Sequence, residues 1–321
     1  MAAPSHDAGH VKYMELRKQD LRSFEDVVVQ GLGHFERVTC LDEPTVSQLR
    51  SLRQAGVWTM FSLLRALGRA PINIHVAVTG GKVIGTASEV LLKESGYVLG
   101  VATDVAMRNR GIATNLLERI HADVGRKGKT LTALDVESDN AVAVRVYKRL
   151  GYEEVATFAW HVGPLRRMVA GRGQVALVER NQLGRTASWV QGNIPPSMAV
   201  PLPPSGKRLT HLELLVRAPG SRDVTWEIGQ SGQKTAAVRG IYTSMVKTGY
   251  IFPVTDDRSV TKDDITAVIG SASDWVRSLG GSKMVVATPS PSSGWNQVLT
   301  ELGILCEAST TLMVRKAGSS H

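Results

Sequence analysis

Ala106-Met107-Arg108-Asn109-Arg110-Gly111-Ile112-Ala113-Thr114 is the stretch on which the reading of this chain turns. Residues 98–105 precede it as an apolar run that reads as a buried strand, and residues 115–120 follow it with the spacing of a helix. A strand that turns through Gly111 into a helix leaves the first N–H groups of that helix without intrahelical partners, with the helix dipole behind them. Arg108 and Arg110 add positive charge on both sides. The stretch therefore builds an anion cradle of the kind that receives a pyrophosphate.

Upstream, residues 12–16 alternate as a first strand, and Asp20 can cap a helix through Gln30. A second helical stretch opens at Pro44-Thr45-Val46, carries Leu49, Leu52, Val57, Phe61, Leu64 and Leu67 on one face, and closes at Gly68 and Pro71. Residues 72–78 read as a strand, Gly80-Gly81 as a hairpin turn and residues 83–92 as its return. Glu94-Ser95-Gly96 turns into the strand over 97–105. Downstream, the helix runs to about Arg126, residues 131–136 form a strand, and residues 140–150 form a helix ended by Gly151. Residues 155–162 close the unit before Pro164. The pattern predicts a mixed α/β unit, hairpins first and crossovers later.

The second half repeats the first. Gly96-Tyr97-Val98 matches Gly249-Tyr250-Ile251, Leu150-Gly151-Tyr152 matches Leu302-Gly303-Ile304, and Val83-Ile84-Gly85 matches Val238-Arg239-Gly240. Thr261 caps a helix to Leu279, residues 283–287 and 306–314 read as strands, and residues 295–302 as a helix. The expected organisation is a tail (1–10), a first domain (11–163), a second domain (164–317) whose segment 164–205 holds a linker and a proline-rich loop, and a tail (318–321). The second copy has Asp256-Asp257-Arg258-Ser259-Val260-Thr261 at the turn, with two carboxylates and no glycine, and Leu299 in place of Tyr147. Carboxylates there repel an anion, so one site per chain is expected, in the first half.

Composition narrows the function. Apolar residues make up 43% and charged residues 21%, and no apolar run approaches the ~18 residues of a membrane span. Residues 1–10 carry no apolar leader core, so the expected location is the cytoplasm, with no membrane partner. Net charge is +9, which raises nucleic acid as a partner, but aromatic content of 5% offers few stacking platforms and argues against it. Cys40 and Cys306 show no ligand spacing and are expected as buried free thiols, with no metal.

With these residues in place, the first half resembles the GCN5-related N-acetyltransferases (GNAT). That family's acetyl-CoA loop, Arg/Gln-x-x-Gly-x-Gly/Ala, stands here as Arg108-Asn109-Arg110-Gly111-Ile112-Ala113. A second block, Leu134-Asp135-Val136-Glu137-Ser138-Asp139-Asn140 with Ala141, Ala143, Tyr147 and Leu150-Gly151-Tyr152, is similar to the later part of that fold and closest to the ribosomal-protein alanine and related protein N-terminal acetyltransferases. The resemblance is strong over 83–162, fair over 11–92 and weak but patterned in the second half. It implies two tandem GNAT-like domains of the α/β (α+β) class, the second degenerate, each a mixed, mostly antiparallel twisted sheet flanked by helices.

The resemblance further implies direct transfer of an acetyl group from acetyl-CoA, the co-substrate, to a primary amine. The acceptor is a protein or peptide amine; the alternatives are a small amine such as a polyamine, amino sugar or drug, or acyl-CoA sensing without turnover. The chain is expected as a monomer or homodimer. Backbone groups at Val105 and Met107 would hold the pantetheine arm, and Arg108, Arg110, Gly111, Ile112, Ala113 and Thr114 the pyrophosphate. Asn140 either caps the next helix or contacts the cofactor with Ala143. Tyr147 occupies the position of the general acid, its other reading being a helix tyrosine that packs on the strand end. Asp135 matches the family's general-base glutamate, one methylene shorter, and Glu89 is its rival; Asp104 and Glu137 lie close by in sequence. His121 is expected on the surface, and His161 at the end of the last strand.

Overall fold

The computed structural model describes residues 10–31, 33–34, 53–66, 72–91, 95–165, 175–178, 200–201, 208–209, 221–230, 233–244, 246–253, 260–289 and 293–316. Cys40, Leu49, Leu52, Leu67, Asp256, Asp257, Arg258, Ser259 and the two tails lie outside them, as does most of 164–205. The chain divides into two compact units: residues 1–33, 46–134 and 315–321, and residues 34–45 and 135–314.

In the first unit, β1 (Lys12–Glu15), β2 (Asn73–Thr79), β3 (Lys82–Leu91) and β4 (Ser95–Thr103) pair antiparallel in that order. β5 (Leu131–Glu137) joins β4 in parallel. Helix α1 (Leu21–Gly31) and helix α2 (Ala55–Ala66) cover one face, where Phe24, Val27, Trp58 and Phe61 pack with Ile74, Val76 and Val83. Helix α3 (Ile112–Arg126) covers the other face with Ile112, Leu116, Leu117, Ile120 and Val124, the three-and-four spacing of an amphipathic helix. It lies close to the sheet. A Cβ on Gly85 would come within 2.5 Å of Ile112, and one on Gly96 within 2.3 Å of Val124.

The second unit takes up the chain inside β5, at Asp135. It adds α4 (Ala141–Arg149) and β6 (Glu153–Pro164), then β7 (Val175–Val178), the short pair β8 (Val200–Pro201) and β9 (Arg208–Leu209), β10 (Ser221–Gln230), β11 (Gln233–Thr243) and β12 (Thr248–Pro253). Helix α5 (Lys262–Ser278), β13 (Lys283–Pro289), α6 (Ser293–Glu301) and β14 (Leu305–Lys316) complete it. Its strands run in the order β14-β6-β13-β12-β11-β10-β7, antiparallel except for β12 with β13. The core gathers Trp226, Val268, Ala272, Val286, Trp295 and Leu299.

The compact units do not divide at residue 163, where the repeat divides. β6 closes the first repeat in chain order, yet both its ladder partners, β13 and β14, come from the second. Trp160 ties it there, its Nε1–H donating to Thr310 Oγ1 at 2.8 Å.

Two of the three repeat anchors have matching geometry. A Cβ on Gly249 would meet Val276 at 2.1 Å, as one on Gly96 would meet Val124. Tyr152 N–H donates to Tyr147 O behind left-handed Gly151, and Ile304 N–H to Leu299 O behind left-handed Gly303. The third anchor is corrected by register. Gly240 faces Ile251, the counterpart of Val98, so it corresponds to Glu89 rather than to Gly85. The corrected position lies four residues further along β3; between the two positions β4 also carries a bulge, since Thr86 pairs with Ala102 and Ser88 with Leu99, so Ala87 alone opposes Gly100 and Val101.

Candidate active site

The central stretch folds as a strand, a short turn and a helix, with changed bounds. β4 ends at Thr103, not Val105. Asp104 then starts a single 3-10 turn over Val105–Met107, its carboxylate accepting from Ala106 N–H at 2.9 Å. Met107 N–H donates to Asp104 O at 2.8 Å, and Val105 O accepts from Arg108 N–H. The Met107 N–H and the Val105 carbonyl are taken up in the turn and are not among the free groups expected at these two residues. β4 pairs with β5 from Ser95↔Leu131 to Val98↔Leu134, and Leu99–Thr103 continue past that last pair.

Beyond the turn, Asn109 and Gly111 both adopt left-handed backbone, at φ +61° and +74°. Asparagine tolerates that region better than most residues and glycine freely. Gly111 is the N-cap of α3 and makes no side-chain cap. The first turn of α3 has no acidic residue. Asn115 N–H is the first to bond back, to Gly111 O at 3.0 Å, so the N–H groups of Ile112, Ala113 and Thr114 precede the helical ladder. Arg108, Asn109, Arg110 and Gly111 are exposed. The residues fit a pyrophosphate: open donors, a dipole, two guanidinium groups and no competing carboxylate.

The sequence reading missed Tyr13, which fastens β1 to this end of α3. Its hydroxyl accepts from Asn115 Nδ2 at 3.0 Å, and the Arg119 guanidinium lies 5.4 Å from its ring centre. Only contact across more than a hundred positions reveals it. Asp104 has a structural role as the cap of the short turn, 3.7 Å from Lys82 Nζ.

Glu89 lies elsewhere along α3. It is fully buried on β3, accepts from Asn73 Nδ2 at 3.0 Å and stands 3.9 Å from Lys127 Nζ, past the C-terminal end of α3. Burial pushes its carboxyl above the ordinary range, against the Asn73 hydrogen bond and Lys127. About 12 residues of helix rise, roughly 18 Å, separate Asp123, which shares its cluster, from Gly111.

In the second unit, Asp135 is half-buried on β5 and Tyr147 is buried on α4, its ring 5.8 Å from that of Tyr152 in an edge contact. Asn140 caps α4, its Oδ1 accepting from Ala143 N–H at 3.1 Å, which is the capping one of its two expected roles. Glu137 O accepts from Asn140 N–H. His161 is buried between β13 and β14, and burial lowers its pKa. Two expectations are corrected. His121 is half-buried rather than on the surface, with its pKa pushed down to about 3 by burial and by Arg315. Cys306 is a free but exposed thiol, because β14 presents its first residues to solvent.

The helix start of the second unit is built differently. Thr261 Oγ1 accepts from Asp264 N–H at 3.2 Å, and Asp264 Oδ2 accepts from Thr261 N–H at 3.0 Å and from its hydroxyl at 2.7 Å. This capping box fills the N-terminus of α5 with the chain's own carboxylate, and Asp263 adds a second acid in the first turn.

The acetyltransferase (GNAT) family matches residues 42–152. The ribosomal protein bS18 alanine N-acetyltransferase of Salmonella typhimurium is 24% identical over 113 residues, 35% of this chain and 76% of that protein. A tandem GNAT protein from the clavulanic acid biosynthesis pathway has the same fold, with a TM-score of 0.57 and 13% identity over 97% of this chain and 100% of that one. A GCN5-related N-acetyltransferase from Sphaerobacter thermophilus gives a TM-score of 0.58 and 12% identity over 96% of each chain. Residues 42–152 thus match the acetyltransferase (GNAT) family, and the curated relative named above is an N-acetyltransferase.

Proposed function

We propose that the chain transfers an acetyl group from acetyl-CoA to the amine of a protein or peptide, with one cofactor site, at the start of α3. The observation that carries this is the open helix N-terminus behind left-handed Gly111, flanked by Arg108 and Arg110. Acetyl-CoA supplies a thioester activated toward amines. Ile112, Ala113 and Thr114 N–H groups and the two arginines hold its pyrophosphate. The similarity to the ribosomal-protein alanine acetyltransferase supports a protein N-terminal amine as the acceptor.

Two further roles rest on the sequence resemblance. Asp135 accepts the amine proton, directly or through one water, because only the free amine is a nucleophile. A new N–C bond then forms at the thioester carbon, the C–S bond breaks, the Tyr147 hydroxyl gives its proton to the leaving sulfur, and the second nitrogen proton passes back to the tyrosinate, directly or through water, leaving the neutral amide. Glu89 is not assigned to this chemistry, given its place past the far end of α3.

The test is thiol release from acetyl-CoA with three amines: a peptide with a free N-terminal alanine, a polyamine and an amino sugar. Release with the peptide is expected. Release only with the small amines would overturn the acceptor class, and tight acetyl-CoA binding without release would leave a sensor. Tyr147→Phe is expected to lower kcat by about 100-fold while the acetyl-CoA KM stays near its original value; an unchanged kcat removes Tyr147 from the mechanism.

A further inference from the structure

A polar cluster lies at the end of α3 opposite the loop. His75 on β2, Glu89 on β3 and Asp123 on α3 each offer one ligand atom, and these atoms all lie within 4.8 Å of one another. His75 Nε2 stands 3.5 Å from Asp123 Oδ2. Glu89 is 0% exposed and His75 5%, yet Glu89 Oε2 and His75 Nε2 have no hydrogen-bond partner among the described residues. Buried polar atoms are seldom left so, since each costs desolvation without return.

The second unit shows that the fold itself does not require ionisable groups at this place. Register equates Glu89 with Gly240, as above. His75 faces Ala87 and Trp226 faces Val238, the residues two positions before Glu89 and Gly240, so His75 corresponds to Trp226. Asp123 and Trp275 precede the matched Val124 and Val276. In place of an imidazole and two carboxylates, the second unit therefore has Trp226 and Trp275 in edge contact at 5.6 Å, with Gly240 making room for the Trp226 ring. Two indole rings fill that place without any ionisable group, although Trp226 Nε1 is itself buried with no hydrogen-bond partner among the described residues.

We propose that His75, Glu89 and Asp123 bind one divalent first-row transition cation of the zinc class, which clamps the C-terminal end of α3 to β2 and β3. One imidazole nitrogen and two carboxylate oxygens are an ordinary donor set for such an ion, with water in the fourth place. Bonds of about 2.0–2.1 Å place tetrahedral ligand atoms roughly 3.4 Å apart. The His75–Asp123 edge already has that length, and side-chain rotation closes the others. Asn73 holds Glu89 Oε1, leaving Oε2 as the ligand. The cation competes with Lys127, near Glu89, and Arg126, paired with Asp123. Their side chains are 45% and 75% exposed, so both can turn to water. The three ligands come from separate elements, so no local spacing in the sequence announces the site.

The experiment uses the full chain after chelator treatment, titrated with Zn²⁺ by calorimetry and with Co²⁺ by visible absorption. One equivalent per chain, tetrahedral Co²⁺ bands and a higher Tm with Zn²⁺ are expected. His75→Gln, Glu89→Gln and Asp123→Asn should each weaken binding at least 10-fold, while Asp274→Asn, on an exposed face of the second unit, binds as the parent does. If a buried variant fails to fold, Asp123→Asn alone decides, because Asp123, with 19% of its side chain exposed, is the least buried of the three. No saturable binding, or binding that survives Asp123→Asn unchanged, overturns the proposal in favour of a carboxyl–imidazole pair held by a proton.

Discussion

At the start of α3, Gly111 stands at φ +74°, offers no side chain to the helix and is followed by no acid in the first turn. At the start of α5, Thr261 and Asp264 bond to each other's backbone, and Asp263 stands beside them. The strands before the two helices match, as do the glycines beneath their C-terminal ends. One helix start is left with donors for an anion; the other satisfies its donors internally, which is the more stable arrangement for the chain alone. The same contrast recurs at the other end, where a polar cluster faces an aromatic plug. The first unit has open donors at one end of α3 and buried ionisable groups at the other, where the second has a capping box and two indole rings, a pattern expected where one copy keeps a ligand and the other keeps only the fold.

The comparison is broken or sharpened by making one unit resemble the other. The largest effect is expected from Thr114→Asp, which gives α3 the third-position acid of α5. Acetyl-CoA affinity should fall about 100-fold by calorimetry, while Tm holds or rises slightly because an acid near a helix N-terminus is favourable. An equal loss of Tm would point to misfolding instead.

Gly96→Ala and Gly249→Ala come next. The added Cβ atoms would meet Val124 and Val276 at 2.3 and 2.1 Å, so each variant should lose about 1–3 kcal/mol in urea unfolding. Tolerance at one site alone would break the structural equivalence.

His121→Ser copies Ser273, its counterpart in α5 by the same helix register. The His121 pKa is about 3, below its ordinary 6.5, so the unfolded chain takes up a proton in that window and the folded chain does not. Stability is therefore lost as pH falls from about 6.5 toward 3, by up to about 1.4 kcal/mol per pH unit from this group. The variant should flatten the acid limb of Tm against pH by that share; His75, lowered in the same direction by its burial, leaves a residual slope.

Much of this was legible in the residues. The 140–150 helix, its Gly151 end and the Thr261 cap follow from local chemistry, and the structure differs by a residue or two. Gly111 announced the open helix start because a left-handed residue without a side chain cannot cap. What escaped depends on contacts between separate elements. Val83-Ile84-Gly85 and Val238-Arg239-Gly240 share a local pattern but not a register: Gly240 faces Ile251 as Glu89 faces Val98, so aligning Gly85 with Gly240 by identity misplaced that anchor. The ladder partners of β6 lie more than a hundred positions away. Glu89 read as a rival base because its strand borders the loop strand; its side chain instead joins His75 and Asp123 on the face under α3.

The central claim is that one helix start in each chain holds acetyl-CoA and that it is the start of α3. Calorimetric titration of the full chain tests it most directly, with Thr114→Asp and Thr261→Ala alongside. One equivalent is predicted for the parent and for Thr261→Ala, which should lose only about 1 kcal/mol of stability with its cap, and no measurable binding at the same concentrations for Thr114→Asp. Two equivalents in the parent, or binding that survives Thr114→Asp and disappears in Thr261→Ala, would contradict it.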